Sequence, residues 1–132
     1  MTHRNWLVDN LTILVAQLWR AGVADVFIAG SFVQNNPNPG DIDGYYLVDP
    51  RRDARLLARL NGISPLFIQA TVPATWRFSP EQNKPKCDMW HQYRVELFLE
   101  DAHRSGQDGS WAALFKKTKK DGKPKGIIHI VR

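Results

Sequence analysis

Cysteine is almost absent from this chain of 132 residues, in which Cys87 is the only one. A lone thiol cannot form an internal disulfide, which is typical of proteins from a reducing compartment. Long apolar runs are missing as well, and none approaches the roughly 20 residues that a membrane-spanning helix needs. The N-terminal residues lead into an amphipathic stretch and not into the apolar segment of a secretory signal. We therefore expect a cytoplasmic protein.

The chain also lacks internal repeats, low-complexity tracts and an interdomain linker. Its length fits one domain, and its hydrophobic content of 43% is ordinary for a globular protein. No Ser/His/Asp or Cys/His arrangement suggests a nucleophile, so covalent catalysis is not indicated. We expect residues 1–132 to form a single domain.

Acidic residues are scarce near the C-terminal end of the chain. Residues 116–132 contain seven basic residues and one acidic residue, so they carry +6, and the rest of the chain carries −1 of the total net charge of +5. A concentrated positive patch suits a polyanion such as nucleic acid or a triphosphate. The segment from Lys116 to Lys125 is therefore a candidate for contact with an RNA or protein acceptor. The alternative is a solvated lysine loop that serves only solubility.

Hydrophobic periodicity predicts helices and strands in alternation. Apolar residues at helical spacing, followed by Gly22, predict a helix over residues 5–21. The other predicted helices cover residues 49–60 and 109–115, and the predicted strands cover residues 23–29, 41–48, 92–99 and 126–131, with a weaker strand over 63–72, a loop over 32–40 and an irregular segment over 73–88. This order predicts an α+β domain with a mixed or antiparallel sheet flanked by helices.

Two carboxylates stand at positions i and i+2 of one predicted strand. Asp41 and Asp43 should therefore project from the same face, while Ile42 between them points into the core. Two neighbouring carboxylates repel each other and favour a cation between them, and hard oxygen ligands suit Mg²⁺ or Mn²⁺. Gly44 follows directly, and its missing side chain would let a substrate approach. The sequence thus indicates a metal site here.

The junction of the preceding strand with Gly30 and Ser31 offers a complementary feature. Glycine permits a tight turn, and backbone N–H groups at the start of a helical turn, together with the serine hydroxyl, bind phosphate oxygens. An anion cradle beside a metal-binding carboxylate pair is what phosphoryl transfer requires, because that reaction depends on positioning and charge neutralisation.

These residues resemble the signature of the DNA polymerase β-like nucleotidyltransferase superfamily. The resemblance consists of Ala29-Gly30-Ser31, a loop of nine residues, and the triplet Asp41-Ile42-Asp43. The wider stretch FIAGSFVQNNPNPGDIDGYY is also similar to small bacterial and phage proteins assigned to this superfamily. The resemblance implies that Asp41 and Asp43 ligate metal, and that Gly30 and Ser31 hold the triphosphate of a nucleotide.

A third carboxylate on a neighbouring strand completes the metal site in that superfamily, and Glu96 matches it by type and context. Glu96 lies between Val95 and Leu97 on an alternating strand. It could instead pair with Arg94 or with a lysine on a neighbouring strand. Both interpretations are open from the sequence.

Two other groups of residues carry weaker functional signals. Cys87 and His91 have a spacing compatible with zinc, but no second close pair accompanies them, so we do not expect a zinc site. Four aromatic residues could stack nucleic-acid bases, although most of them are expected in the core. These are Trp76, Trp90, Tyr93 and Trp111.

The resemblance implies a metal-dependent nucleotidyltransferase that transfers a nucleoside monophosphate from a nucleoside triphosphate to an RNA or protein acceptor. Its catalytic residues would be Asp41, Asp43 and Glu96, with Mg²⁺ or Mn²⁺ as cofactor. Larger members of the superfamily add a domain that binds the base or the acceptor, and this chain is too short for one. The alternative is therefore a catalytically inactive module of the same fold that binds RNA or a partner protein.

Overall fold

A computed structural model describes residues 3–29, 40–116 and 127–131 of the chain. Five α-helices, one short 3₁₀ helix and six strands occur in this part of the chain. The helices are α1 (His3–Ala21), α2 (Leu56–Ile63), α3 (Leu66–Gln69), α4 (Asp88–Tyr93) and α5 (Trp111–Lys116), with the 3₁₀ helix at Pro73–Thr75. The strands are β1 (Asp25–Ala29), β2 (Ile42–Val48), β3 (Arg77–Ser79), β4 (Lys84–Lys86), β5 (Val95–Asp101) and β6 (Ile128–Val131).

The main sheet has four strands in the order β5-β2-β1-β6. Strand β1 runs antiparallel to β2 and β6, whereas β2 and β5 run parallel to each other. Strands β3 and β4 form a separate antiparallel hairpin. The expected α+β class is confirmed, and the sheet is mixed.

The two faces of the main sheet pack differently because side chains alternate along each strand. One face buries the large core beneath α1 to α4, and Ile42, Tyr46, Val95 and Leu97 contribute to it from β2 and β5. Among the described residues, the opposite face carries only a small apolar cluster beneath α5, built on Ala29, Tyr45, Ala112 and Phe115. This sparsely covered face leaves room for polar side chains.

Helix α1 forms as predicted, because leucines at helical spacing give it one continuous apolar stripe. Leu7, Leu14 and Leu18 are completely buried against the sheet. The helix ends at Ala21, and Gly22 adopts a positive φ of 105°, which favours glycine. No helix among the described residues is long and apolar enough to cross a membrane.

The predicted helix over residues 49–60 starts too early. The Asp49 carboxylate accepts a hydrogen bond from the Arg51 amide at 3.0 Å, and the Asp49 carbonyl accepts from Arg52 at 3.1 Å. These bonds close a turn, and α2 begins only at Leu56. The helix also continues past residue 60, where the predicted helix ends, and includes Gly62.

Three further segments differ from the prediction. The weak strand over residues 63–72 is instead helix α3, which Pro65 precedes as its N-cap. The segment over residues 73–88 contains the β3–β4 hairpin, and residues 92 and 93 belong to α4 and not to a strand. Arg94 ends α4 in the left-handed conformation, with φ of 57°, and β5 starts at the next residue. The alternating hydrophobic pattern over residues 92–99 does not indicate that the chain changes from helix to strand at Arg94.

Candidate functional site

The three predicted carboxylates lie together on the sparsely covered face of the sheet. Asp43 and Glu96 are register partners on the parallel strands β2 and β5. Asp41 stands just before β2, where the Ile42 amide donates to the Arg94 carbonyl at 3.0 Å and extends the ladder. One carboxylate oxygen from each of Asp41, Asp43 and Glu96 lies within 4.8 Å of the others. We call these three residues the acidic cluster.

Ile42 fixes the orientation of the two aspartates. Its side chain is fully buried in the large core, so strand alternation turns Asp43 to the opposite face. Asp41 and Asp43 are partly exposed, whereas Glu96 is buried. The predicted convergence of Glu96 with the aspartates is confirmed.

Trp90 on α4 holds Asp41 in place. Its indole Nε1–H donates a hydrogen bond to Asp41 Oδ2 at 3.1 Å, and the ring itself is buried. The Arg94 guanidinium lies over this ring at 3.9 Å from its centroid, and Arg94 also pairs with Glu81 at the hairpin. Trp90 is thus a supporting residue of the cluster, as well as a core residue.

Lys86 on β4 forms a buried ion pair with Glu96. The exposed fraction of Lys86 is 7% and that of Glu96 is 4%, so both charges are removed from water. Glu96 therefore pairs with a lysine, but this lysine comes from the separate β3–β4 hairpin and not from a neighbouring strand of the sheet, and the partner is not Arg94. The same carboxylate also belongs to the acidic cluster, so the ion pair does not separate Glu96 from Asp41 and Asp43.

A cavity of about 420 Å³ opens beside the acidic cluster. The three residues of the acidic cluster line it, together with Lys84 and Lys86. The other lining residues are Trp76, Gln82, Pro85, Phe98, Trp111 and Phe115. Acidic and basic groups therefore meet in one cavity, which also has an aromatic wall.

The aromatic wall depends on the face of β5 that carries Glu96. Phe98, two residues further along, stacks on Trp111 with ring centroids 4.2 Å apart and an interplanar angle of 9°. Buried Glu100 comes next on the same face and accepts hydrogen bonds from the backbone amides of Trp111 and Ala112 at the start of α5. One strand face thus supplies a cluster carboxylate, an aromatic surface and an anchor for the helix that carries Trp111.

The acidic cluster suits a hard divalent cation. Its donors are carboxylate oxygens, which Mg²⁺ and Mn²⁺ prefer, and the hydrogen bond from Trp90 to Oδ2 leaves Oδ1 of Asp41 for a cation. Three carboxylates at such short separations also repel one another, which a cation relieves. Asp41, Asp43 and Glu96 could therefore hold such an ion.

Gly30 and Ser31, the predicted triphosphate-binding residues, lie outside the described residues, and so do residues 117–126 of the basic segment. The described chain does place Ala29 opposite Asp43 in the β1–β2 register. Gly30 follows Ala29 directly in the sequence.

Gly44 has a structural role that differs from the prediction. A Cβ atom at this position would lie 2.2 Å from the Phe27 carbonyl oxygen, on the neighbouring strand. Glycine is therefore required by the close approach of β1 and β2, and not by an incoming substrate.

Cys87 and His91, whose spacing is compatible with zinc, each have other surroundings in the structure. Burial raises the pKa of the Cys87 thiol, which disfavours the thiolate that zinc needs. His91 Nε2 lies 2.9 Å from the Arg77 carbonyl oxygen and is occupied by that hydrogen bond.

The fold and the site define an α+β protein with an acidic cluster on one face of a mixed sheet. The chain belongs to a family of unknown function (DUF6932), whose sequence model matches residues 1–131. Neither a curated protein nor a solved structure matches the chain.

Proposed function

We propose that this protein is a metal-dependent nucleotidyltransferase related to the polymerase β-like superfamily. It would transfer a nucleoside monophosphate from a nucleoside triphosphate to an RNA or protein acceptor. The observation that carries the proposal is the convergence of Asp41, Asp43 and Glu96 within 4.8 Å beside a cavity that also contains lysines. The lone cysteine supports a cytoplasmic location, which cell fractionation would test.

The charges of the cavity favour an anionic substrate. Lys84 and Lys86 face three carboxylates, so the cavity carries one excess negative charge without a metal. A bound divalent ion changes this balance to one excess positive charge. A phosphate group would then meet a complementary field, whereas a neutral substrate would not.

The aromatic wall supports a nucleotide as the source of that phosphate. Trp76, Phe98 and Trp111 line the cavity and are partly exposed. Indole and phenyl faces stack on nucleobases with little dependence on base identity. The aromatic wall would therefore contact the base of the nucleotide within this domain.

The reaction assigned to the site is an in-line displacement at the α-phosphorus. An acceptor hydroxyl oxygen forms the new P–O bond, the bond to pyrophosphate breaks, and the hydroxyl proton passes to a carboxylate of Asp41 or Glu96. Bound Mg²⁺ or Mn²⁺ would polarise the phosphate and neutralise charge on the leaving group. Lys84 and Lys86 would orient the phosphate oxygens from the hairpin side.

A second candidate function is an inactive module that binds RNA or a partner protein. The observation that favours it is the ion pair between Lys86 and Glu96, because a lysine already neutralises one carboxylate of the cluster. In this case the Lys86 ammonium would take the place of the metal ion as the permanent counter-charge of Glu96.

The two candidates are separated by incubation of the protein with each α-labelled nucleoside triphosphate, Mg²⁺ or Mn²⁺, and total RNA. Label transfer to RNA or to protein is expected for the wild type. Asp43→Asn should lose the transfer without loss of thermal stability, because the substitution relieves the repulsion between carboxylates.

Asp53→Asn, in the turn before α2, is the matched control and should retain activity. Absence of transfer with every nucleotide, in a preparation that binds RNA, would favour the inactive module.

A further inference from the structure

Lys86 is one of the most buried charged residues in the described part of the chain, with an exposed fraction of 7%. Its Nζ pairs with Glu96 Oε1 and lies 5.2 Å from the centroid of the Trp90 ring. A buried ammonium is costly unless a carboxylate compensates it. The metal-free protein therefore relies on Glu96 to keep Lys86 in this position.

Glu96 is at the same time a member of the acidic cluster, together with Asp41 and Asp43. A divalent ion in the cluster would share the Glu96 carboxylate with Lys86, whose Nζ contacts Oε1. It would also repel the ammonium group, because both are cations within a few ångströms of one carboxylate in a poorly solvated site. Metal binding and the Lys86–Glu96 ion pair are therefore in competition.

The cavity offers Lys86 a second position. Lys86 lines the cavity beside Lys84 and Gln82, and four flexible methylene groups carry its ammonium. A phosphate group in this cavity would be an anionic partner to which the released ammonium could turn. Lys84 is exposed on the same strand and has no comparable carboxylate partner among the described ion pairs.

We propose that Lys86 is an exchangeable counter-ion, which neutralises Glu96 in the metal-free protein and moves to a substrate phosphate when a divalent ion enters. This inference rests on the proposed function and adds a coupling to it. The ion pair opposes metal binding in the absence of nucleotide, whereas the freed lysine strengthens binding of the triphosphate. Metal and nucleotide consequently bind with positive cooperativity through Lys86.

Mn²⁺ titrations of the wild type, Lys86→Gln and Lys84→Gln test the competition. Without nucleotide, Lys86→Gln should bind Mn²⁺ about fivefold or more tightly than the wild type, because a competing cation is gone. The same variant should bind a non-hydrolysable nucleoside triphosphate with Mn²⁺ more weakly. Lys84→Gln should leave the affinity for Mn²⁺ alone close to that of the wild type.

Acetylation of lysines in the unsubstituted protein tests the movement without any risk of misfolding. The modified sites are quantified by peptide mass spectrometry, with the same peptides from urea-denatured protein as reference. Lys86 should be protected in the metal-free protein, become reactive when Mg²⁺ alone is added, and be protected again when Mg²⁺ and the nucleotide analogue are both present. The ratio of Lys86 modification in the folded protein to that in the denatured protein reports the exchange directly.

The outcomes distinguish this inference from the proposed function. If the wild type binds Mn²⁺ but Lys86 stays protected with Mg²⁺, the exchange is overturned and the metal site stands. Equal or weaker Mn²⁺ binding by folded Lys86→Gln has the same consequence. If the wild type binds no divalent ion at millimolar concentrations, the proposed function itself fails, and the inference fails with it.

Discussion

At the scale of single residues, the acidic cluster depends on side chains that are not acidic. Trp90 donates its indole N–H to Asp41, and Arg94 covers the outer surface of the same ring. A carboxylate that repels its neighbours would otherwise turn towards solvent. The indole therefore holds Asp41 towards Asp43 and Glu96 in the absence of a cation.

A double-mutant cycle between Trp90 and Asp41 measures this contact. Trp90→Phe keeps an aromatic ring but removes the N–H, and Asp41→Ala removes the acceptor. We expect a coupling of about 1 kcal/mol or more in the free energy of unfolding, since hydrogen bonds to charged groups contribute about 1.5–3 kcal/mol and Asp41 is partly exposed. Urea denaturation followed by circular dichroism provides the four values.

The control pairs Trp90→Phe with Asp53→Ala, because Asp53 forms its ion pair with Arg59. These two changes should be additive within about 0.5 kcal/mol. Additivity of Trp90→Phe with Asp41→Ala as well would show that the indole does not support Asp41.

The shared face of Asp41 and Asp43 was predicted from the sequence pattern and Glu96 was implied by the resemblance, but the partners of these residues were not predicted. Strand alternation fixes the faces of Asp43 and Glu96 as soon as the strands are recognised. Trp90 and Asp41 are 49 residues apart, and neither lies in a motif that connects them. Lys86 stands in the short segment Lys84-Pro85-Lys86, which has no apolar alternation to suggest a strand or a buried charge. Contacts of this kind arise from tertiary packing.

At the scale of elements, β5 organises the site through one of its faces. Glu96, Phe98 and Glu100 alternate with the core residues Val95 and Leu97. Both oxygens of Glu100 accept the Ala112 amide at 3.3 Å, and one accepts the Ser105 hydroxyl at 2.8 Å. These bonds satisfy amide groups at the start of α5 that its own helix leaves without partners.

Glu100→Gln is expected to destabilise the protein by about 1.5–3 kcal/mol, because charge-assisted hydrogen bonds to a buried carboxylate are lost. The displaced α5 would also misplace Trp111, so the affinity for a nucleoside triphosphate should fall. Urea denaturation and nucleotide titration measure the two effects.

Ser105→Ala serves as the control, since it removes one neutral donor to the same carboxylate. It should cost about 1 kcal/mol and leave nucleotide affinity nearly unchanged. A Glu100→Gln protein that is as stable as the wild type would contradict the anchoring role of this carboxylate.

Helices and strands with a regular spacing of apolar residues were predictable from the sequence. Short elements, and elements whose ends are set by local hydrogen bonds, were not. Helix α1 and strands β1 and β2 follow from apolar spacing because each buries a continuous face. The start of α2 was missed because Asp49 forms a turn with Arg51 where helix capping was also plausible. The β3–β4 hairpin has three residues in each strand and contains Pro85, so its sequence resembles a loop.

At the scale of the whole molecule, charge is divided unequally along the chain. Residues 116–132 carry +6, while the acidic cluster lies in the remaining part, whose net charge is −1. Phe115, at the end of α5, lines the cavity beside the cluster. The chain resumes at β6, where Ile128 pairs with Ile28 of β1. The basic segment therefore follows a helix that borders the site, whereas the strand after it lies at the opposite edge of the sheet.

The basic segment has more lysines than a helix end requires. Cations near a helix C-terminus interact favourably with the helix dipole, but this effect is confined to the last turn and accounts for one or two of them. The remaining lysines repel one another in a short stretch, which is unfavourable unless an anion is present. We therefore expect the segment to contact the phosphate backbone of an RNA acceptor with weak sequence preference.

Combined replacement of Lys117, Lys119, Lys120 and Lys123 by glutamine tests this expectation. RNA affinity should fall, and the slope of log K against log[salt] should decrease in magnitude by up to about 3, because four phosphate contacts are removed. Binding of the nucleoside triphosphate should change little.

The matched control replaces four exposed arginines by glutamine and so removes the same charge elsewhere. The salt slope of this control variant should change less. These arginines are Arg20, Arg51, Arg52 and Arg55. Equal RNA affinity of the wild type and the lysine variant across the salt series would contradict this expectation. The interpretation of the segment as a solvated loop would then be favoured, and a protein would be the preferred acceptor.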